Sequence, residues 1–371
     1  MLEIYAGLMS GTSIDGVDGV LLDFSDKRPC VIQAASLEMP DALRSELLAL
    51  NQSGEDELHR AALAANELAR LYSAVMDQLL TQSGRKASEI LAIGAHGQTV
   101  RHQPASGYTL QLNNPALLAE LTGINVIADF RSRCVAAGGQ GAPLAPFFHA
   151  AMFSRPNECV TILNLGGISN LTVLPPAGQV HGQLLGFDCG PGNALMDYWC
   201  QTHLGDAYDD AGTWAASGRV HDDLLSTLLA DSYFNLRPPK STGRDLFNPT
   251  WLYAHLGKVS GPSVSTADVQ ATLCALTARS CASAVKDFAP DSTELLVCGG
   301  GAFNLHLIKL LQRHLPGCVV RTTSDRGIPP MQVEAAAFAW LARQMTRREA
   351  IPLKSTTGAK GSRILGCLYP A

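Results

Sequence analysis

The residues best suited to chemistry lie near the N-terminus, in the stretch Gly7–Asp18, which reads Gly-Leu-Met-Ser-Gly-Thr-Ser-Ile-Asp-Gly-Val-Asp. Glycines let a backbone approach a phosphate closely enough for several N–H groups to point at it, and the hydroxyls here add donors. Asp15 and Asp18 carry the oxygen ligands that Mg²⁺ prefers. A plain hairpin needs only one or two turn residues, so the pattern favours a phosphate loop. It is not a Walker A loop, because Val17 and Asp18 stand where that motif requires Lys and Ser or Thr.

Two later glycine-rich segments are candidates for the same chemistry. Gly166-Gly167-Ile168-Ser169-Asn170 joins two predicted strands and, taken alone, fits a plain turn equally well. Together with the first hairpin, this segment predicts a second loop that binds a triphosphate. Gly299, Gly300 and Gly301 end a strand and open a helix, a context that suits a nucleotide. Asn304 stands where the dinucleotide fingerprint has its third glycine, so a tight strand–helix turn is the alternative.

Asp188 is the best catalytic candidate, in the segment Phe-Asp-Cys-Gly-Pro-Gly-Asn of residues 187–193. It ends an apolar strand and precedes a Gly-Pro-Gly turn and a predicted helix. A carboxylate placed there can act as a general base. The alternative is that Asp188 only caps the following helix.

Several polar side chains could hold a small polar substrate. Gln98 lies in the segment His-Gly-Gln-Thr of residues 96–99, just after a predicted strand, and the histidines nearby lack the spacing of a zinc motif. Arg131 could grip a carboxylate or a phosphate, although exposed loop arginines are common. Glu334 begins a predicted helix, where it could merely complement the helix dipole.

The elements that must position these residues alternate between strand and helix, which predicts a mixed α/β fold. The glycine-rich hairpins each open one half of the chain, and this indicates an internal duplication. We expect domains at 1–130 plus about 345–371 and at 131–344, with residues 131–146, rich in Gly and Pro, as a linker or a loop crossing between them. The two domains are expected to face each other across a cleft.

The composition narrows the class of protein. The chain has 371 residues, 46% hydrophobic and 16% charged, with a formal net charge of -5 and a pI of about 6.0. Without a strong basic run, neither a nucleic-acid nor a membrane partner is expected. The ten cysteines are scattered singly and are typical of small buried residues in a reducing compartment. No signal peptide or membrane span is predicted, so we expect a cytoplasmic protein.

Taken together, these motifs resemble those of the anhydro-N-acetylmuramic acid kinases. Besides the segments already given, the resemblance includes Ile127-Ala128-Asp129-Phe130-Arg131 and Met331-Gln332-Val333-Glu334-Ala335. Ile14 stands where Met is common in that family. The resemblance implies two actin-like, ribonuclease H-like domains that face each other across a nucleotide and sugar cleft. It also implies use of ATP with Mg²⁺, and a homodimer.

The resemblance also implies the reaction and the roles of residues. The substrate would be 1,6-anhydro-N-acetylmuramic acid and the product N-acetylmuramic acid 6-phosphate, in peptidoglycan recycling. Asp188 would be the catalytic base and Asp15 the contact to Mg²⁺, direct or through water. The expected sugar contacts are Ser10, Gln98, Arg131 and Glu334. The expected nucleotide contacts are Gly11, Thr12, Ser13, Ile14, Asp15, Gly16, Val17, Asp18, Gly166, Gly167, Gly299, Gly300 and Gly301.

Two other functions remain open at this point. One is a kinase for another amino sugar, with Asp188 deprotonating a free hydroxyl. The other is a non-catalytic actin-like ATPase that acts through assembly or partner binding.

Overall fold

The computed structural model describes residues 2–26, 29–178, 184–243, 245–259 and 264–371. Its strands, in chain order, are β1 (Ile4–Met9), β2 (Gly16–Asp23), β3 (Cys30–Glu38), β4 (Ile90–Ala95), β5 (Gln98–Gln103), β6 (Tyr108–Leu112), β7 (Val126–Ala128), β8 (Cys159–Leu165), β9 (Ile168–Leu174), β10 (Leu185–Pro191), β11 (Ser292–Cys298), β12 (Val319–Thr322), β13 (Ile351–Pro352), β14 (Ser362–Arg363) and β15 (Cys367–Tyr369).

The α-helices are α1 (Asp41–Ala49), α2 (Glu57–Ser83), α3 (Pro115–Thr122), α4 (Ser132–Ala136), α5 (Ala145–Phe153), α6 (Ala194–Leu204), α7 (Thr213–Ser217), α8 (Asp222–Leu229), α9 (Pro249–Leu256), α10 (Thr266–Phe288), α11 (Leu305–His314), α12 (Val333–Thr346) and α13 (Lys354–Thr357). None of the helices in the described ranges is long and apolar enough to cross a bilayer.

The chain divides into two compact units, whose limits differ from those expected. Unit 1 comprises residues 1–152 and 332–371, and unit 2 comprises residues 153–331. Residues 131–146 therefore belong to unit 1 rather than to a linker or the second domain. They include α4, and the Gln140 N–H donates to the carbonyl of Thr357 over 2.8 Å.

Helix α12, which the sequence assigned to the second domain, also packs in unit 1. Two glycines allow this: a Cβ on Gly7 in β1 would overlap the carbonyl oxygen of Ala335, and a Cβ on Gly94 in β4 would overlap that of Phe338. The helix backbone thus lies directly on the sheet. This contact depends on small residues in three segments that are far apart in the chain. No single segment therefore predicts the contact.

Unit 1 is built on a six-stranded sheet with the order β15-β7-β4-β1-β2-β3. Strands β1, β2 and β3 form an antiparallel meander, whereas β4 is parallel to β1 and β7 is parallel to β4. Helix α2 covers one face. Its buried residues recur at helical spacing, from Ala64 through Leu68 and Tyr72 to Leu79, and the helix ends at Gly84 in the left-handed conformation.

Unit 2 repeats this plan with a five-stranded sheet in the order β10-β9-β8-β11-β12. Again the first three strands form an antiparallel meander, and the next two run parallel to the first. This shared order, 3-2-1-4-5, is the ribonuclease H-like topology of actin-like proteins. The two sheets confirm the mixed α/β class and the internal duplication predicted from the sequence.

The core of unit 2 surrounds α10, on which fifteen residues are buried, and an N-cap bond from the Asp268 N–H to Ser265 Oγ, 3.1 Å, starts this helix. The cysteines are free thiols, and all are buried except Cys30, Cys159 and Cys367. The expectation that most cysteines act as small buried hydrophobic residues is confirmed.

Candidate active site

The loop Ser10–Asp15 joins β1 to β2 and contains the predicted phosphate-binding residues. A turn closes it, since the Ile14 N–H donates to the carbonyl of Gly11 over 3.1 Å. Ile14 has a φ of 54°, in the left-handed region that β-branched residues rarely enter, yet its side chain is buried. The buried side chain anchors the loop while Thr12 and Asp15 stay exposed. Such strain persists only where surrounding structure enforces it.

Two carboxylates flank this loop. Ser13 Oγ donates to Asp15 over 2.7 Å, and the Ser36 hydroxyl donates to Asp18. Burial raises the pKa of Asp18; the Ser36 bond opposes this, and the charge of Asp15 adds to it. A cation near both carboxylates would relieve their repulsion.

Magnesium fits this donor set if phosphate and water complete its coordination. No group of three or more His, Cys, Asp or Glu suited to a metal occurs within the described ranges. Mg²⁺, however, commonly uses one or two carboxylates together with substrate phosphates and waters. Asp15 and Asp18 are therefore suited to a metal that arrives with a nucleotide.

Ser10 and Gln98 lie behind the loop, both almost fully buried. Gln98 Nε2 donates to the carbonyl of Gly11 over 3.1 Å. Ser10 Oγ lies 3.2 Å from the Tyr72 hydroxyl and 3.2 Å from the carbonyl of Gly97. The structure thus connects both residues to the backbone that shapes the loop. Tyr72 was not predicted as part of the site, because its position in the apolar pattern of α2 indicated only a core residue.

Arg131 is held by two neutral acceptors. Its Nε and Nη2 lie 3.2 Å and 3.0 Å from Nε2 of His96, and its Nη1 donates to the carbonyl of Gly141 over 2.9 Å. Burial lowers the pKa of His96 to about 3, with a further contribution from the charge of Arg131. The imidazole is therefore neutral at physiological pH. Burial also lowers the pKa of Arg131, to about 10, so the guanidinium remains charged.

Glu334 is the second residue of α12, as the sequence predicted, and it remains accessible to solvent. Its pKa is raised, chiefly because protein surrounds the carboxyl group. The charge of Asp18 raises it further, and that of Arg131 lowers it. These effects place Glu334 in the same electrostatic environment as the loop carboxylates and Arg131. Unit 1 thus brings together the sugar-binding candidates of the sequence with the hairpin.

In unit 2 the two glycine-rich segments meet at Asn193. The carbonyl of Gly166 accepts from the Asn193 N–H over 2.8 Å, and Asn193 Nδ2 donates to the carbonyl of Leu165 over 2.9 Å. A Cβ on Gly301 would lie 2.9 Å from Asn193 Oδ1 and 2.5 Å from the Leu165 side chain. Gly299 has a φ of 77°, which favours glycine.

Close packing therefore requires glycine at Gly299 and Gly301, whereas a Cβ on Gly166 would meet no atom nearer than 3.6 Å. Gly300 is exposed beside them, and Gly166 and Gly167 are partly accessible. The structure thus brings the predicted nucleotide-binding residues of unit 2 into one place, at the N-terminus of α6.

Asp188 lies on β10, and the strand continues to Pro191 instead of ending at Asp188 as predicted. The register shifts between Asp188 and Gly190, so a bulge re-aims the side chains at this point. The Thr242 N–H donates to Asp188 Oδ2 over 2.9 Å, and the Asp188 N–H donates to the carbonyl of Lys240 over 3.2 Å. Asn193, not Asp188, is the N-cap residue of α6, and among the described residues no side chain caps this helix, so the helix-cap alternative is not supported.

The pKa of Asp188 is raised by burial, while the bond from Thr242 and the charge of Lys240 lower it. Tyr233 adds a further contact, because its hydroxyl donates to the Asp188 carbonyl over 2.9 Å. Lys240 Nζ in turn lies 4.7 Å from the centre of the Tyr233 ring. The result is a half-buried, oriented carboxylate whose pKa is raised, features that suit a general base.

Tyr233, Lys240 and Thr242 were missed in the sequence. Residues 238–243, Pro-Pro-Lys-Ser-Thr-Gly, carried a usable signal: a turn-rich run that combines a cation with two hydroxyls. Nothing in that run, however, specifies that it pairs with β10, which lies about fifty residues earlier.

The family model for anhydro-N-acetylmuramic acid kinase matches residues 3–371. The chain belongs to this family. The resemblance seen in the sequence is confirmed, and with it the kinase class of enzyme.

Curated relatives from this family match the chain over its full length or nearly so. The chain is 60% identical to the anhydro-N-acetylmuramic acid kinase of Variovorax paradoxus, covering 100% of this chain and 99% of the relative. It is 56% identical to that of Cupriavidus pinatubonensis, covering 99% and 98%.

A ROK family glucokinase from Streptomyces griseus, solved with glucose and AMPPNP, is 12% identical with a TM-score of 0.43, covering 92% of this chain and 99% of its own. At such similarity, the strand order of the two sheets, rather than this likeness, establishes the fold.

Proposed function

We propose that this enzyme converts 1,6-anhydro-N-acetylmuramic acid, ATP and water into N-acetylmuramic acid 6-phosphate and ADP. The observation that carries the proposal is the environment of Asp188. One carboxylate oxygen is fixed by the Thr242 N–H, and burial raises its pKa, as a general base requires. In a cell this reaction would belong to the recycling of peptidoglycan.

Asp188 takes a proton from a water molecule as that water attacks the anomeric carbon of the sugar. The bond between C1 and O6 breaks, as it would in an inverting glycosidase. O6 then attacks the γ-phosphorus, and the bond from that phosphorus to the bridging oxygen of ADP breaks. No separate general acid is needed, because the phosphoryl group captures the departing oxygen.

The hairpin of unit 1 holds the phosphates of ATP. Its backbone from Gly11 to Asp18 supplies N–H donors, Thr12 and Ser13 supply hydroxyls, and Asp15 and Asp18 hold the metal directly or through water. When bound, Mg²⁺ neutralises the charge that develops on the transferred phosphoryl group. The glycines of unit 2, Gly166–Gly167 and Gly299–Gly301, provide close backbone approach to the nucleotide.

The sugar contacts are assigned to unit 1. Arg131 provides a positive charge and Glu334 accepts hydrogen bonds from a ring hydroxyl or the acetamido N–H. Ser10 and Gln98 are buried behind the loop, so their direct contact with the sugar remains a prediction. A cytoplasmic location and a homodimer also remain predictions, which cell fractionation and analytical ultracentrifugation test.

A substrate panel tests the proposal. ADP release is measured with ATP, Mg²⁺ and either the anhydro sugar, free N-acetylmuramic acid or N-acetylglucosamine, and products are analysed by mass spectrometry. The anhydro sugar should give a product that has gained both water and a phosphoryl group. Phosphorylation of the free sugars alone would contradict the ring-opening reaction. Nucleotide-dependent assembly without sugar-stimulated ADP release would instead favour an actin-like ATPase.

A further inference from the structure

The pair formed by His96 and Arg131 has a feature that the proposed reaction does not by itself require. Buried arginines usually pair with carboxylates. Here the guanidinium bonds to an imidazole nitrogen and to the carbonyl of Gly141, both neutral acceptors. No ion pair within 4.0 Å involves Arg131 in the described ranges. Among the described residues, its charge is therefore oriented without a contacting carboxylate, and Glu334 acts on it only from a greater distance.

His96 is itself held firmly in this role. Its backbone N–H donates to the carbonyl of Leu8 over 3.0 Å, which extends the pairing of β4 with β1. Its ring lies 4.6 Å from that of Phe338 on α12. Since Nε2 accepts from Arg131, the proton of the neutral ring is on Nδ1. Strand β4 and helix α12 thus hold the His96 ring in place, and Nε2 of that ring orients Arg131.

Several carboxylates surround Arg131, so a cation that none of the described carboxylates contacts directly is useful there. Asp15, Asp18 and Glu334 all act on one another electrostatically, whereas Arg131 is the cation among the groups that act on Glu334. An anionic ligand would be repelled by this set unless one positive charge were kept available. A carboxylate in place of His96 would orient Arg131 equally well but would cancel that charge.

We infer that His96 is a positioning residue whose neutral imidazole orients Arg131 and leaves its charge available to the carboxylate of the substrate's lactyl group. This inference rests on the proposed function, because it takes the muramic acid derivative as the substrate. The other oxyanion that could use the same charge is a phosphate of ATP. If the charge binds the lactyl carboxylate, loss of His96 raises the KM for the sugar. If it binds a phosphate, loss of His96 raises the KM for ATP.

The experiment compares His96→Leu, His96→Gln and His96→Glu with the wild-type enzyme. Leu removes the acceptor, Gln restores a neutral acceptor, and Glu adds a negative one. His149→Leu is the matched control, because His149 is also a buried histidine of unit 1 whose pKa is lowered by burial to about 3. Thermal unfolding of every variant separates loss of folded protein from loss of binding.

Each variant is assayed with 1,6-anhydro-N-acetylmuramic acid and with 1,6-anhydro-N-acetylglucosamine, which lacks the lactyl carboxylate; calorimetry replaces turnover where turnover is slow. We expect His96→Leu and His96→Glu to raise KM for the acidic sugar by on the order of tenfold. The KM for ATP and the affinity for the neutral sugar should change little, and His96→Gln should recover most of the loss.

Three results would overturn the inference. Equal losses of affinity for both sugars would indicate a structural role for His96. A raised KM for ATP alone would assign the charge of Arg131 to a phosphate. Wild-type kinetic constants in the His96→Leu enzyme would show that His96 has no such role. Failure of the wild-type enzyme to phosphorylate the anhydro sugar would instead refute the proposed function, and the inference with it.

Discussion

The Thr242 N–H donates to Oδ2 of Asp188 over 2.9 Å, so the backbone fixes one oxygen of the proposed base. Asp188→Asn keeps an acceptor for Thr242 but cannot take up a proton. We expect kcat to fall by about 10²-fold to 10⁴-fold while ATP still binds. Coupled ADP release gives kcat, and calorimetry gives the ATP affinity. Near-normal turnover of the Asn variant would contradict the role of Asp188.

The pH dependence of the rate should report the pKa of Asp188. Because the base must be deprotonated, activity is lost as pH falls through this pKa, which burial raises above the usual value of an aspartate. Lys240 lowers the pKa of Asp188, so Lys240→Met should move the acidic limb of kcat/KM to higher pH. Lys240→Arg keeps the charge and should leave the limb in place. A limb at the same pH in both variants would show that Lys240 does not act on Asp188.

The metal requirement should depend on Asp18. Asp18→Asn removes one negative charge near Asp15 but keeps a polar group next to Ser36. We expect the Mg²⁺ concentration for half-maximal rate to rise on the order of tenfold, since one oxygen ligand or its charge is lost. Titration of Mg²⁺ at saturating ATP measures this, after a chelator has abolished activity of the wild-type enzyme. An unchanged requirement would place the metal elsewhere.

The packing of α12 on β1 should depend on Gly7. Gly7→Ala places a methyl group on the Ala335 carbonyl, with the Ala339 nitrogen 2.7 Å away, so the helix must shift. We expect a loss of about 2–4 kcal/mol in the free energy of unfolding. Gly11→Ala in the same hairpin is the matched control, because its methyl group would meet only Ser13 Oγ, 3.6 Å away. Denaturant unfolding compares them, and equal stabilities would rule out the close approach.

The alternation of strands and helices, the glycine-rich hairpins and the placement of Asp188 on a strand could be predicted, because each depends on a few neighbouring residues. Turn residues identified the loops after β1 and β8. The domain limits could not be predicted in this way. Gly7, Gly94 and α12 are far apart in the chain, and only their contact assigns residues 332–344 to unit 1.

The hydrogen-bond partners of the proposed catalytic groups likewise could not be predicted from neighbouring residues. By itself, the sequence determined which residue types could do the chemistry: a glycine-rich phosphate loop, Asp188, Arg131 and Glu334. Only the tertiary structure paired Arg131 with a neutral His96 and Asp188 with Thr242. The reason is physical: a hydrogen bond or a pKa depends on distances between groups and on their burial, and these exist only once strands from separate parts of the chain have been packed together.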